Sequence, residues 1–366
     1  MTYVGRIEAL LAKVRSQGRY RTLETYQVGD AIDFSSNDYL GLATDPQVVQ
    51  AFRRATRVGS GGARLLGGRH REHSLLEEEL ALWLGRERAL LFSSGYHAAL
   101  GVIPALAASV DCVYSDRLNH ASLIDGIRLA HAPRVIYPHA QPPPRAQRGA
   151  NALLVTESIF SMDGDAVDLV AMLGDLGDGD VLLVDEAHAL GVAGPAGAGL
   201  ARDLDDPRIV VMGTLSKSLG AMGGFVAGPA ALVELLINTA RPFIFDTALP
   251  PSIALAARVA LALAQRDESR RERLHAAVAQ FRSGLRAMGL PTIESPSPIV
   301  PVVLGDPATA LRVSAGLLAK RIYAPAIRPP TVPEGSSRLR FSLRSDHTSE
   351  HIDLALRELQ RCIATL

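Results

Sequence analysis

The chain has 366 residues, a length that allows about two or three domains with substantial apolar cores. Lysine plus arginine number 38 and aspartate plus glutamate also number 38, so no net charge attracts nucleic acid or an anionic membrane. The two cysteines, Cys112 and Cys362, can form neither a disulfide framework nor a zinc site. We therefore expect a cytoplasmic protein that binds no metal and has no nucleic-acid partner.

Two segments bear on export and membrane insertion, and neither supports them. Arg6 and Glu8 interrupt the N-terminal segment, where a secretory signal needs an unbroken apolar core. Residues 89–110 carry no Asp, Glu, Lys or Arg and are long enough to span a membrane. However, the SSGYH sequence at 93–97 and Pro104 favour a buried strand, a small-residue turn and a buried helix. No membrane association is predicted.

Short apolar runs alternate with helical patterns between residues 85 and 230. The runs are ALLF at 89–92, ALLVT at 152–156, VLLVD at 181–185 and RIVVMG at 208–213. Each run is closed by small or charged residues, as expected for parallel strands that are buried on both faces. The pattern predicts a large α/β domain with three layers, α/β/α, around a mostly parallel sheet.

The pattern changes after residue 250. Two long amphipathic stretches, 251–289 and 349–366, lie around the strand-like sequences IVPVVLG and RLRFSL. This change predicts a smaller α+β domain at the C-terminus. We place the N-terminal arm at 1–45, the large domain at 46–245 and the small domain at 246–366.

Polar side chains close two of the apolar runs, at the strand ends where ligands of open α/β sheets bind. Asp185 ends VLLVD, and His188 follows on the loop that leaves the sheet. An aspartate there could bind a protonated ring nitrogen, or it could cap the next helix. Lys217 follows RIVVMG among small and hydroxyl residues, where partial desolvation would lower its pKa and favour Schiff-base chemistry. A lone lysine more often extends to solvent.

A third strand end completes a set of groups with related chemistry. The sequence LLFSSGYHAAL places small residues at a helix start, where free backbone N–H groups can bind a phosphate. Asp185 and Lys217 are 32 residues apart, about one helix-plus-strand crossover, so neighbouring strands could present both. A phosphate cradle, an aspartate and a lysine in this order supply what pyridoxal phosphate needs.

Several stretches resemble one family, the α-oxoamine synthases among the fold-type-I pyridoxal-phosphate enzymes. They are FSSNDYLGLA (34–43), GSGGARLLGG (59–68), HSLLEEELA, FSSGYHAAL, SDRLNHASLIDG (115–126), TESIFSMDGD (156–165), VDEAHALGV, GTLSKSLGAMGG and AIRPPTVPEGSSRLRFSL (326–343). The likeness extends from residue 34 to the C-terminus. It implies a homodimer with shared active sites and a decarboxylative condensation of an amino acid with an acyl thioester of coenzyme A or a carrier protein.

The resemblance also implies the expected substrates, L-alanine and a pimeloyl thioester. One alternative is a sister enzyme that uses glycine or serine with another acyl group. A second alternative is a catalytically silent partner subunit that binds acyl thioesters. Lys217 argues against silence, because such a subunit has no need of a Schiff-base amine.

The matched motifs imply roles for the residues around the cofactor ring. Lys217 would carry the cofactor as a Schiff base and later move the α-proton of the substrate. Asp185 would pair with the pyridine nitrogen, His188 would bond the phenolic oxygen and Ser161 would lie near the ring. His120 would stack on the ring face and contact substrate, unless it is an ordinary buried histidine.

The resemblance assigns the phosphate to the backbone of Gly95 and Tyr96, to Thr214 and, from the partner subunit, to Thr247 of FDTALPP.

Substrate contacts are implied for Asn37, Arg328, Thr331 and Arg21. Arg328 is expected to clamp the amino-acid carboxylate with two hydrogen bonds. The arm before residue 34 aligns loosely, so Arg15 or Arg19 could serve in place of Arg21. Considered apart from the resemblance, Asn37 could be a turn residue, and Arg328 could form a surface ion pair that contributes little to stability.

Overall fold

The computed structural model of the protein describes residues 1–17, 19–21 and 31–366. The helices are α1 Tyr3–Ser16, α2 Pro46–Arg53, α3 Arg71–Leu84, α4 Gly95–Ala107, α5 Ala121–Leu129, α6 Leu169–Gly174, α7 Ala230–Thr239, α8 Arg241–Ile244, α9 Pro251–Arg266, α10 Glu268–Ala287, α11 Pro307–Leu318 and α12 Ser349–Ala364. The strands are β1 Ile32–Asp33, β2 Arg88–Phe92, β3 Cys112–Asp116, β4 Arg134–Tyr137, β5 Ala152–Glu157, β6 Val181–Asp185, β7 Ile209–Thr214, β8 Gly224–Gly228, β9 Ile299–Gly305, β10 Ile322–Tyr323, β11 Ala326–Ile327 and β12 Ser337–Ser342.

A seven-stranded sheet forms the centre of the protein, in the order β2-β8-β7-β6-β5-β3-β4. The pairs from β7 to β4 are parallel, and β8 is antiparallel to both of its neighbours. All residues of β5 and β7 are buried, which explains why their sequences are continuous apolar runs. The predicted mostly parallel sheet is confirmed.

Alternate residues of each strand enter two different cores, one on each face of the sheet. Leu183 and Val210 pack with α4, α5 and α7, whereas Val184 and Val211 pack with α3, α6 and α9. The predicted three-layer α/β/α arrangement is therefore confirmed. No helix in the described ranges is both long and apolar enough to cross a membrane.

Three strands of this sheet were not predicted from the sequence, because β3, β4 and β8 lack a long apolar run. Strand β8 begins and ends with glycine. A Cβ atom on Gly224 would lie 2.4 Å from the backbone nitrogen of Gly95, so only glycine lets β8 pass beneath the start of α4. That close approach brings the first turn of α4 to the edge of the sheet.

The C-terminal part has its own antiparallel sheet, in the order β11-β12-β9. Both strand-like sequences of the C-terminal region form strands of this sheet, and helices α10, α11 and α12 pack beside it. The amphipathic stretch at 251–289 is divided into α9 and α10 at Asp267. Strand β1 pairs with β10, and Phe34 packs against Phe341 with ring centroids 5.4 Å apart. The residues around Phe34 are thus anchored on the C-terminal part; the domain boundaries stay predictions.

Candidate active site

A cavity of about 260 Å³ lies at the carboxyl ends of β5, β6 and β7, beside the start of α4. The parallel strands end at the same edge of the sheet, so the polar residues that follow them meet there. Seven of the predicted cofactor residues line this cavity: Gly95, Tyr96, His120, Asp185, His188, Thr214 and Lys217. Sequence motifs that are far apart along the chain therefore converge on one site.

Lys217 lies on the loop after β7, and its Nζ is 2.7 Å from Nε2 of His188. Burial lowers the pKa of Lys217 to about 8, while the carboxylates of Asp185 and Glu157 oppose that shift and the charge of Arg340 adds to it. An amine with this pKa is partly neutral near pH 8. It can therefore act as a nucleophile and exchange protons under ordinary conditions.

Asp185 ends β6 with its side chain buried. Its Oδ1 accepts a hydrogen bond of 2.9 Å from the backbone N–H of Ala187, and the residue also lines the cavity. The alternative considered from the sequence, a cap on the next helix, does not apply, because a turn and not a helix follows Asp185. The carboxylate bonds to this turn and also lines the cavity, where it could bind a protonated ring nitrogen.

His188 is buried between Lys217 and Tyr39, with Nδ1 2.7 Å from the hydroxyl of Tyr39. Burial holds the pKa of His188 well below its usual range, and the positive charges of Lys217 and Arg340 lower it further. The imidazole is therefore neutral. A neutral imidazole has one donor and one acceptor nitrogen, so each of its two bonds must have a defined direction.

The hydrogen bonds continue beyond Tyr39 to a buried arginine. The hydroxyl of Tyr39 donates to Oδ1 of Asn37 at 3.1 Å, and both terminal nitrogens of Arg340 donate to the same oxygen at 3.1 Å. A consistent set of directions runs from the Lys217 ammonium to Nε2 of His188, from Nδ1–H of His188 to Tyr39, and from Tyr39 to Asn37. Substrate-site and cofactor-site residues are thus linked.

Arg340 is the main residue that the sequence analysis missed. It lies on β12, is 5% exposed, and donates through Nε to the backbone carbonyl of Ser161 at 2.6 Å. Its neighbour on the same face of the strand, Arg338, pairs with Asp163, whereas Arg340 has no acidic partner among the described residues. A buried guanidinium without a counter-ion favours an anionic ligand. Two arginines alternating with Leu339 and Phe341 were the available signal.

His120 is the N-cap of α5, and its Nδ1 lies 2.8 Å from Oγ of Ser122. Burial lowers the pKa of His120, and the positive charge of Lys217 lowers it further. Its backbone N–H donates to Oε1 of Glu157 at 2.7 Å. The ring and the backbone of His120 are therefore each held by one neighbour, at the wall of the cavity.

Glu157 was also missed by the sequence analysis, although it ends the apolar run of β5 as Asp185 ends that of β6. The two residues are paired in the register of these strands, and Glu157 is 2% exposed. Burial raises the pKa of Glu157 well above its usual range, and the negative charge of Asp185 raises it further. Both effects favour the protonated form of Glu157, whereas the positive charge of Lys217 and the hydrogen bond from the His120 N–H oppose it.

The phosphate residues meet at the first turn of α4. Gly95 begins the helix, where the first N–H groups have no intrahelical acceptor. A Cβ on Gly95 would be 3.3 Å from Cβ of Thr214, so the two residues lie next to each other in the wall of the cavity. Tyr96 also lines the cavity, and its hydroxyl donates to Asp125 on α5.

The remaining predicted residues lie outside this cavity. Asn37 belongs to the hydrogen-bond chain from Lys217, while Ser161 and Thr331 line a second cavity of about 490 Å³. Arg21 donates to Oγ1 of Thr331 at 3.4 Å. Thr247 is exposed and does not line the cofactor cavity of its own chain.

Arg328 and two of the N-terminal arginines, Arg15 and Arg19, make fewer contacts. The guanidinium of Arg328 is half-buried and has no hydrogen bond to any residue that the structure describes. Arg15 stacks over the ring of Tyr20 at 4.4 Å, and Arg19 is exposed. Of the three N-terminal candidates, Arg21 is the one in contact with a predicted substrate residue.

Comparisons with known proteins place these observations in a family. The profile described as Aminotransferase class I and II matches residues 29–359. The 8-amino-7-oxononanoate synthase of Anaeromyxobacter dehalogenans is 47% identical over 369 residues, which cover 95% of this chain and 92% of the relative.

Solved structures are similar over most of the chain. A serine palmitoyltransferase from S. paucimobilis, with PLP and myriocin bound, has a TM-score of 0.89 at 29% identity, covering 100% of this chain and 99% of the other. The 8-amino-7-oxononanoate synthase from Francisella tularensis has a TM-score of 0.78 at 30% identity, covering 92% and 98%.

Proposed function

We propose that this chain, which belongs to the aminotransferase class I and II family and within it to the 8-amino-7-oxononanoate synthases, condenses L-alanine with a pimeloyl thioester and releases carbon dioxide. It is a pyridoxal-phosphate-dependent acyltransferase. The product of this reaction is used to make biotin. The observation that carries the proposal is the convergence of Lys217, His188 and Asp185 on one cavity, connected by hydrogen bonds to a buried, unpaired Arg340.

The cavity residues fit the cofactor. The start of α4, next to Thr214, would hold the phosphate, Asp185 would hold the protonated ring nitrogen, and Lys217 provides the amine. When bound, pyridoxal phosphate supplies an electron-poor ring that accepts the electron pair left as the amino acid loses its α-proton.

His188 can serve two partners in turn because Tyr39 can either accept from or donate to its Nδ1. In one tautomer Nε2 accepts from the Lys217 ammonium. In the other, Nε2 carries the proton and can donate to the phenolic oxygen of the cofactor. The low pKa of His188 keeps both tautomers neutral. His120, held by Ser122 and Glu157, also lines the cavity and would contact the cofactor ring.

Lys217 is the proposed proton carrier for the α-carbon. Its pKa of about 8 lets the neutral amine accept a proton and the ammonium return one near neutral pH. Its hydrogen bond to His188 positions Nζ at the cavity wall. Both properties arise from burial at the end of an apolar strand.

We further propose that Arg340, with Asn37, binds the carboxylate of the amino acid. Arg340 is buried, has no acidic partner among the described residues, and adjoins the hydrogen-bond chain from Lys217. A planar guanidinium binds a carboxylate with two parallel hydrogen bonds. Arg328, which the sequence indicated for this role, remains the alternative. If Arg340 binds the carboxylate, Arg21 and Thr331 would contact the acyl substrate.

The shared active site of a homodimer is part of the proposal. Thr247 is exposed beside Phe245, which is 69% exposed, so this segment is free to meet another chain. The proposed ligand of Thr247 is the phosphate of the cofactor that is bound in the neighbouring subunit. The acyl donor is a thioester of coenzyme A or of a carrier protein, and the compartment is the cytoplasm.

A substrate panel tests the function. Alanine, glycine and serine are offered in turn with pimeloyl, succinyl, acetyl and palmitoyl thioesters, and carbon dioxide release is measured. Alanine with the pimeloyl thioester should give the highest rate. A higher rate with glycine or serine, or with another acyl group, would assign the chain to a sister activity such as that of the palmitoyltransferase relatives. Release from no pair would support a silent subunit.

A further inference from the structure

The surface formed by residues 46–71 has an unusual charge. This stretch contains six arginines and no acidic residue, in a chain whose formal net charge is zero. Arg64 pairs with Glu77 at 3.0 Å. The other five are exposed and have no ion pair among the described residues; they are Arg53, Arg54, Arg57, Arg69 and Arg71. Like charges held close together repel one another, so an unpaired group of this size favours an anionic ligand.

The arginines are arranged around a cavity. A space of about 400 Å³ lies between the end of α2 and the start of α3. Its polar walls are formed by Arg54, Thr56, Arg57, His70, Arg71 and Glu72. Three guanidinium groups outnumber the single carboxylate, so the cavity is positive. Guanidinium groups suit phosphate oxygens because they donate two parallel hydrogen bonds to them.

Hydrogen bonds connect this cavity to the segment that carries Thr247. Nε2 of His70 lies 3.3 Å from the carbonyl of Ser60, and Oγ of Ser60 donates to the carbonyl of Ala248 at 2.6 Å. Nε2 of His73 lies 2.6 Å from the carbonyl of Leu249. In the proposed dimer Thr247 reaches the cofactor of the neighbouring subunit, so the arginine cavity is joined to the segment that would lie at that cofactor.

We propose that this arginine cavity binds the phosphate-bearing end of a coenzyme A thioester. The inference rests on the proposed function and specifies its acyl donor. Coenzyme A carries a diphosphate and a ribose phosphate at one end, joined to the thioester by a long uncharged arm. The phosphates would lie among Arg54, Arg57 and Arg71, while the arm extends to the neighbouring active site. The concave shape favours a nucleotide over the broad acidic face of a carrier protein.

Two donors with the same acyl group separate this binding from the chemistry. Pimeloyl-coenzyme A carries the phosphates, whereas the pimeloyl thioester of N-acetylcysteamine lacks them. In the triple variant Arg54→Gln, Arg57→Gln, Arg71→Gln, we expect KM for pimeloyl-coenzyme A to rise about 10-fold. For the N-acetylcysteamine thioester, both kcat and KM should stay unchanged. Higher salt should raise KM for the coenzyme A donor of the unaltered protein.

A matched control removes the same charge elsewhere. Arg134, Arg312 and Arg357 are exposed, so their triple glutamine variant tests the effect of net charge alone. Equal changes for both donors, no change, or the same change in the control would overturn the proposal. Loss of activity only with a pimeloyl carrier protein would also overturn it and would assign the surface to a protein.

Direct binding distinguishes failure of this proposal from failure of the proposed function. Adenosine 3′,5′-bisphosphate, which carries phosphates but no thioester, is titrated into the holoenzyme by calorimetry. The unaltered protein and the control should bind it, and the arginine variant should bind about 10-fold more weakly. Equal binding by all three proteins would refute the site even if no acyl donor is turned over.

Discussion

The cofactor cavity and the loops that bear the predicted substrate residues differ in how firmly their side chains are held. In the cavity, the partly buried Lys217 and the buried His188 are hydrogen-bonded at 2.7 Å. Outside it, Arg21 and Thr331 are exposed and 3.4 Å apart, and Arg328 has no side-chain partner within the described ranges. Lys217 and His188 lie on the loops that directly follow β7 and β6, and their mutual hydrogen bond and their other cavity contacts hold them in place. The side chains outside the cavity have few such contacts, so the substrate has to supply part of their positioning.

The largest expected effect comes from the residue at the centre of the cavity. Lys217→Ala removes the Schiff-base amine and the proton carrier together, so carbon dioxide release should fall by about 10⁴-fold or more. Borohydride reduction followed by peptide mapping should label Lys217 in the unaltered protein. Lys320→Ala serves as the control and should keep both label and activity. Recovery of the label on Lys13 or Lys320 would disprove the assignment.

Subunit exchange tests whether Thr247 completes the cofactor site of the neighbouring subunit in the dimer. Lys217→Ala and Thr247→Asp should each be inactive, the latter because a carboxylate repels the phosphate. After exchange, each heterodimer should contain one complete site, and activity should return. Mixing two preparations of Lys217→Ala is the control. No recovery despite demonstrated exchange would mean that each chain builds its own site.

Two arginine variants compare the two regions directly. Arg340→Lys keeps the charge but loses the paired hydrogen bonds, which should lower kcat/KM for alanine by roughly 30-fold to 150-fold. Arg328→Lys should change it by less than about 3-fold, because Arg328 is only half-buried and, unlike Arg340, has no hydrogen bond to the chain that leads from Lys217. Cofactor absorbance should persist in both. A larger loss in Arg328→Lys would restore the sequence-based assignment.

A smaller effect is expected at Glu157, which should act as a neutral acid that positions His120. Glu157→Gln keeps an acceptor for the His120 N–H and should retain activity within about 3-fold, whereas Glu157→Leu leaves that N–H unpaired and should lose about 10-fold. The infrared carbonyl band of a protonated carboxylic acid should disappear in both. A pronounced loss in Glu157→Gln alone would indicate that the residue is ionised.

The smallest effect concerns a histidine that holds the loop of Ser161. Nδ1 of His139 lies 3.0 Å from Asp116 and Nε2 lies 2.6 Å from Asp165; these bonds raise the pKa of His139 from 6.5 to about 10. The stabilisation is therefore complete below the unfolded pKa of 6.5 and is lost as the pH rises through about 10. Between about pH 8 and 11, a range that includes that pKa, the free energy of unfolding should fall by about 1 kcal/mol more than in His139→Gln. Equal slopes in denaturant titrations would contradict this.

The sequence predicted the residues around the cofactor well, because the ends of buried strands can be recognised from polar residues that close long apolar runs. Long apolar runs marked β5, β6 and β7, and the polar residues that closed β6 and β7 proved to be cavity residues. Strand β8 was missed because it has no long apolar run, and its first residue, Gly224, makes a close contact with α4 that only the folded chain reveals.

The substrate side was less predictable, for a physical reason. Tyr39 and Arg340 reach the site from the loop after β1 and from the C-terminal sheet. No spacing along the chain indicates that these segments meet beside His188, since their contact depends on how the two sheets pack. The resemblance to the family supplied Asn37 but directed attention to Arg328, twelve residues before Arg340.

The position of Arg340 makes the basicity of Lys217 depend on whether substrate is present. Burial lowers the pKa of Lys217 most, and the positive charge of Arg340 lowers it further. A carboxylate paired with the guanidinium would cancel much of that charge as felt at the amine. The amine would then hold a proton more strongly once an amino acid has arrived. Substrate binding would thus strengthen the base that removes the α-proton, while the empty site keeps the amine neutral enough to react.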